Sequence, residues 1–193
     1  MSLNLLKQLR EETGVSISEC KKALDEARGD LASAKEILRR RGQSLAGKKS
    51  ERGAKEGIIE CYLHPNKKVG VILDIHCESD FVARSDEFHK LAHELCLQIA
   101  AMKPIFLKEE EMPEEFLEGE KRIYREQFSN TGKPQKIIDQ IIEGKLKKYK
   151  EEVSLLSQPW IKDEAKTIKD LIQDHIAMLG ENIELKKFQR YEI

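Results

Sequence analysis

Val69-Gly70-Val71-Ile72-Leu73-Asp74-Ile75-His76-Cys77-Glu78-Ser79-Asp80-Phe81-Val82-Ala83-Arg84 changes its hydrophobic period partway along. Val69, Val71, Leu73, Ile75 and Cys77 alternate, as a strand with one buried face does. After Ser85 the apolar residues Phe88, Leu91, Ala92, Leu95, Ile99 and Met102 recur at helical spacing, and Lys103-Pro104 ends that run. A strand followed by an amphipathic helix predicts a sheet with a helical cover. The junction places the aromatic Phe81 between an acid and a base, and two readings of it stand. In one, Asp80 caps the helix and Phe81 tucks under its own domain. In the other, the ring points outward into a partner.

Upstream, Ile59, Cys61 and Leu63 alternate before His64-Pro65-Asn66-Lys67, so a hairpin is predicted whose apolar face the following helix covers. Near the C-terminus, Asn182 to Ile193 alternates with one slip of phase near Lys186, the mark of a bulged strand. That strand pairs with the hairpin. The result is an α+β fold: a small antiparallel sheet with helices on one face.

The first 42 residues read as three short helices. Leu3, Leu6 and Leu9 share a face; Ser18 caps a helix with Cys20, Ala23, Leu24 and Ala27; Asp30 caps a third with Leu31, Ala34, Ile37 and Leu38. Gly42 is read as its stop. This arrangement resembles a ubiquitin-associated module. Residues 43–57 hold several cations and few apolar anchors, and are read as a flexible linker. Residues 58–193 are read as the core domain. Within it, residues 113–156 carry two apolar stripes separated by Asn130-Thr131-Gly132-Lys133-Pro134. The second, Ile138, Ile142, Leu146, Tyr149, Val153 and Leu156, spaces its members by threes and fours. A projecting antiparallel helical hairpin is predicted. A further helix carries Ile168, Leu171, Ile172, His175, Ile176 and Leu179 up to Gly180.

Charged residues make up 36% of the 193, yet the formal net charge is −1, which argues against a general grip on nucleic acid or anionic lipid. The N-terminus lacks the pattern of a signal peptide, and no stretch has the apolar length to cross a bilayer. Cys20, Cys61, Cys77 and Cys96 are irregularly spaced and read as reduced thiols of a cytoplasmic protein.

No catalytic constellation emerges. His89, His93 and Cys96 share a helix face at spacings a metal accepts, but no further ligand cluster accompanies them, so no metal is assigned. His93-Glu94 opens an HExxH string that Leu97 closes wrongly, and no Gly-rich phosphate loop or GxSxG is present. Neither an enzyme nor a cofactor is expected.

Taken in order, Thr13-Gly14, Cys20-Lys21-Lys22-Ala23-Leu24, Asp80-Phe81-Val82-Ala83, Lys103-Pro104, Gly132-Lys133-Pro134, Glu143-Gly144-Lys145-Leu146, Gln158-Pro159 and Gly180-Glu181-Asn182-Ile183 resemble bacterial elongation factor Ts over essentially the whole chain. The resemblance implies a guanine nucleotide exchange factor that speeds GDP release from elongation factor Tu. It implies that Asp80, Phe81, Val82 and Ala83 enter that GTPase near its magnesium and phosphate site, with Ser79 in place of the family's usual threonine. It implies weaker contacts through Arg10 and Ile17, although Val15-Ser16-Ile17-Ser18 departs from the usual glycine-methionine pair, leaving burial of Ile17 as a core staple open. Lys145 stands where arginine is common. The resemblance is to a form with one copy of the core where longer relatives have two, which implies a homodimer, with residues 58–193 as the core and dimerisation domain, and a 2:2 complex. The competing readings are a non-enzymatic adaptor with a ubiquitin-associated-like module and an oligomerisation arm, and an RNA-associated protein using Arg39–Arg41 and the basic linker.

Overall fold

In the computed structural model, which describes residues 3–129 and 134–193, helices and small antiparallel sheets mix as the α+β expectation requires. The helices are α1 (Leu3–Thr13), α2 (Ile17–Glu26), α3 (Leu31–Lys49), α4 (Asp80–Ala83), α5 (Asp86–Met102), α6 (Glu114–Phe128), α7 (Gln135–Val153) and α8 (Ile168–Leu179). The strands are β1 (Glu56–Leu63), β2 (Val69–Cys77), β3 (Pro159–Trp160), β4 (Asp163–Thr167) and β5 (Ile183–Glu192).

The main sheet runs β1-β2-β5, antiparallel throughout, while β3 and β4 form a small ladder of their own that periodicity does not predict. Asp74 pairs with Lys187 and Ile75 with Leu185, so Lys186 is the extra residue of a bulge, where the slip of phase falls. The covered face carries Val71, Leu73, Ile75 and Cys77, joined by Ile183 and Leu185. Onto it α5 lays Phe88, Leu91, Ala92, Leu95, Cys96 and Ile99, and α8 adds Ile168, Leu171, Ile172 and Ile176. Burying each large apolar side chain stabilises the fold by about 1.5–3 kcal/mol.

The β1 alternation falls on the other side from the one predicted. Ile58 stands opposite Ile75 and Tyr62 opposite Val71, and paired residues of an antiparallel ladder share a face. Ile58 and Tyr62 therefore pack on the core, while Ile59, Cys61 and Leu63 join Ile72 on the open face. Both faces of β1 carry apolar residues, so its sequence fits either register; the pairing with β2 decides it.

The N-terminal helices enclose Leu9, Cys20, Ala23, Leu24, Ala34, Ile37 and Leu38. Leu3, predicted on the inner face, is exposed in the first turn of α1. Ser16, not Ser18, caps α2 by accepting from Glu19 N at 3.4 Å, and Asp30 caps α3 by accepting from Ser33 N at 2.8 Å.

Gly42 does not stop α3. The helix runs on to Lys49 through the first part of the segment predicted as a flexible linker, because it has a surface to lie on. Gly42 is buried against α8, Ala46 enters the main core, Gln43 Nε2 donates to Asp170 Oδ1 at 3.2 Å, and Lys49 Nζ donates to the Gly180 carbonyl. At Gly14, φ is +67° and a Cβ would meet Met178 of α8, so the α1–α2 corner rests on the same helix.

Residues 130–133, part of the predicted break, lie outside the described residues. On either side, Phe116 stacks on Tyr149 with ring centroids 5.9 Å apart, and Lys145 Nζ lies 5.2 Å from the Tyr124 ring and 5.3 Å from that of Phe128. These contacts run in opposite senses along α6 and α7. At their base, Gln98 and Gln158 are fully buried, and Gln98 Nε2 donates to Gln158 Oε1 at 3.1 Å.

Candidate functional site

Chain direction reverses where β2 ends. Glu78 bends the chain, Ser79 is extended, α4 makes a single turn, and Ser85 caps α5 by accepting from Phe88 N at 3.3 Å. The cap of α4 is Ser79, whose Oγ accepts from Val82 N at 3.4 Å. The local pattern predicts Asp80 for that role; its carboxylate lies one residue too late and instead meets Arg84 Nη2 at 3.2 Å on the surface. Four residues of helix cannot hold themselves together in water, since nucleating a turn costs more than its bonds return. The turn is held from outside.

That support comes from the junction between α8 and β5. Glu181 Oε2 accepts from Ser79 N at 2.9 Å and from Glu78 N at 3.1 Å, while Ser79 Oγ donates to Glu181 Oε1 at 2.6 Å. Glu78 returns the contact, Oε1 accepting from Asn182 N at 2.7 Å. Asn182 Nδ2 donates to the Arg52 carbonyl at 2.8 Å. Below, the Cys77 Sγ donates to the Ser79 carbonyl at 3.2 Å; burial, reinforced by the negative charge of Glu181, pushes its thiol up to about 11.

Burial divides the four residues that the resemblance groups together. Phe81 is 84% exposed, so the reading that tucks the ring under its own domain is excluded. Asp80 is half-buried beside it, Val82 packs against the main core, and Ala83 is buried beneath the turn. The apex offers an acid and an aromatic; the other two residues form its floor.

Arg10 and Ile17 flank the α1–α2 corner, Arg10 in the last turn of α1 and Ile17 in the first of α2. Both are exposed; Ile17 at 50% is no core staple. Among the described residues no hydrogen bond or ion pair joins either to residues 80–83. The Arg39–Arg41 run is partly spent on acids: Arg39 Nε meets Glu36 at 2.9 Å, and Arg41 reaches Glu26 at 2.7 Å and Glu19 at 3.3 Å.

Cys96 is fully buried, and among the described residues no group of three or more His, Cys, Asp or Glu is placed to hold a metal. No helix among them is long and apolar enough to cross a membrane. Sequence patterning missed Glu181 and Glu78 as supports. Glu181 is about a hundred residues from the turn it holds, and no spacing rule links them; only its place in the Gly180-Glu181-Asn182-Ile183 string drew notice.

An exposed aromatic at the apex of a braced turn makes the candidate site of this protein an exposed surface turn. The sequence model of the family described as Elongation factor TS matches residues 16–193. Elongation factor Ts of Coprothermobacter proteolyticus is 50% identical over 193 residues, covering 100% of this chain and 98% of that protein. The protein of the same name from Thermotoga petrophila is 52% identical, covering 100% and 96%, and that from Thermosipho melanesiensis 47%, covering 100% and 98%. The chain belongs to the elongation factor Ts family.

Proposed function

We propose that this chain releases GDP from elongation factor Tu by docking the Asp80–Phe81 apex against that GTPase near its magnesium and phosphate site. As a member of the elongation factor Ts family, the chain is a guanine nucleotide exchange factor for elongation factor Tu in translation elongation. The observation that carries the turn's part in this is the exposure of Phe81 on a floor braced by Glu181.

Exchange of this kind is coupling between two binding events. Magnesium neutralises the GDP phosphate oxygens, so a group that disturbs its surroundings weakens the nucleotide, and GDP weakens the factor by the same free energy. Burying the phenyl ring of Phe81 in the partner supplies about 1.5–3 kcal/mol toward that distortion. Because Ser79 makes the cap, Asp80 contributes its charge. Val82 and Ala83 act as the floor. No covalent step is involved.

Arg10 and Ile17 supply a second contact from the N-terminal helices, which we read as a ubiquitin-associated-like module. We read α6 and α7 as a projecting antiparallel hairpin. Two chains associate through the open sheet face, where Ile59, Leu63, Ile72 and Tyr191 are all exposed, giving a 2:2 complex with the GTPase in the cytoplasm.

Release of a fluorescent GDP from elongation factor Tu tests the reading. Phe81→Ala should slow factor-stimulated release about ten- to a hundredfold, the range that 1.5–3 kcal/mol spans. An unchanged rate with an unchanged melting temperature removes the ring from the mechanism.

A further inference from the structure

We infer that Glu181 is a positioning residue for exchange: its carboxylate, presented from the junction of α8 and β5, holds the Ser79 end of the turn so that Phe81 meets the GTPase in one orientation. This rests on the role proposed for the turn. Three donors converge on the one carboxylate, the amides of Glu78 and Ser79 on Oε2 and the Ser79 hydroxyl on Oε1. Among the described residues Glu181 makes no ion pair with a cation, so its hydrogen bonding is directed to the base of the turn. Bonds to an ionised acceptor are the stronger kind, and here they act where the backbone leaves the sheet.

Ser79 is the link. Its hydroxyl donates to Glu181 and accepts from Val82 N, so one oxygen ties the carboxylate to the helical turn that carries Phe81. The far side of the clamp is also fixed. Lys49 of α3 donates to the Gly180 carbonyl, and Met178 and Ala177 of α8 lie under Gly14 and Gly42. The N-terminal helices and the Phe81 turn are thus both seated on the C-terminal end of α8 and the residues just after it. Glu181 is where that seat reaches the turn.

Without the carboxylate, Phe81 stays exposed and can still dock, but its orientation is no longer held, so ordering it falls to the step that distorts the nucleotide site. The loss should therefore appear mainly in the rate at saturation rather than in the concentration giving half the effect. The experiment measures fluorescent-GDP release from elongation factor Tu against concentration for the full chain and for Glu181→Ala, Ser79→Ala, their double variant, Ser79→Thr and Phe81→Ala. Glu181→Ala should lower the saturating rate about tenfold, the factor that about 1.4 kcal/mol makes. Its half-saturating concentration should move less than about threefold. Ser79→Ala should do likewise, the double variant should lose little more than either, and Ser79→Thr should keep the full rate because it keeps the hydroxyl. A saturating rate for Glu181→Ala equal to that of the parent, with Phe81→Ala still slow, overturns the clamp and spares the turn. Strictly multiplicative losses in the double variant also overturn it. If Phe81→Ala itself is fast, the reading of the turn fails instead.

Discussion

Gly42 of α3 faces Ala177 of α8 so closely that a Cβ at Gly42 would stand 3.1 Å from the Ala177 Cβ. A glycine that looks like a helix terminator is in fact a close-approach residue in mid-helix. Two opposing effects follow. A methyl group improves helix propensity by about 0.5–1 kcal/mol but crowds Ala177. Gly42→Ala should therefore change stability little, whereas Gly42→Leu forces α3 off α8 and should cost about 1–3 kcal/mol. Urea titrations of the two variants distinguish a packing glycine from a left-handed stop, which would penalise both alike.

Leu63 and Ile72 lie on the face of the sheet that no helix covers among the described residues, 62% and 46% exposed. Replacing both by lysine places charges where the proposed second copy would press. Sedimentation at micromolar concentration should show the parent at twice the chain mass and the double variant at the chain mass, with unchanged melting of the monomer. A parent already at monomer mass removes the dimer.

Cysteine chemistry should separate by burial. Cys61 is exposed, while burial pushes the Cys77 thiol up to about 11 and the Cys96 thiol up to about 12. Cys61 pairs with Ile72 on the face proposed to meet the second copy, so in the Leu63→Lys, Ile72→Lys variant an alkylating reagent at pH 8 should label it well ahead of Cys77 and Cys96, which should react only on unfolding. The same shifts set a sign for stability. Above the ordinary thiol value of 9.0 the unfolded chain loses protons that the native chain keeps, so stability falls as pH rises. The contribution is whole below pH 9.0 and gone once the native thiols ionise, at about 11 and about 12. Denaturation midpoints for Cys77→Ala and Cys96→Ala should decline less steeply over that range.

Gln98 has no exposed surface and spends its amide on three groups: it donates to Gln158 Oε1 and to the Pro159 carbonyl, both at 3.1 Å, and accepts from Ile161 N at 3.0 Å. Gln98→Leu keeps the bulk and strands all three. A loss of about 1–3 kcal/mol per buried group left unpaired is the relevant scale, so thermal unfolding should drop by well over the effect of a surface substitution. Melting curves check it.

Much of the scaffold was legible in the sequence. The β2 alternation, the α5 cover, the helix end at Gly180 and the bulge at Lys186 are local signals, and each is read from residues near one another in the chain. The failures share a cause. The choice of face for Ile59 and Leu63, the role of Gly42 and the continuation of α3 all depend on a surface contributed from elsewhere. Ser79 displaced Asp80 as the cap by one residue, within the reach of local chemistry but not of periodicity. The site was half legible: family resemblance pointed to Phe81, and nothing in the pattern pointed to its support.

Sequence alone determined that a strand would give way to a helix with an aromatic at the junction, because hydrophobic period is a property of neighbouring residues. Tertiary structure alone decided that the ring faces solvent. Its orientation depends on Glu181, and a carboxylate a hundred residues away reaches Ser79 only after the sheet has brought β2 and β5 side by side.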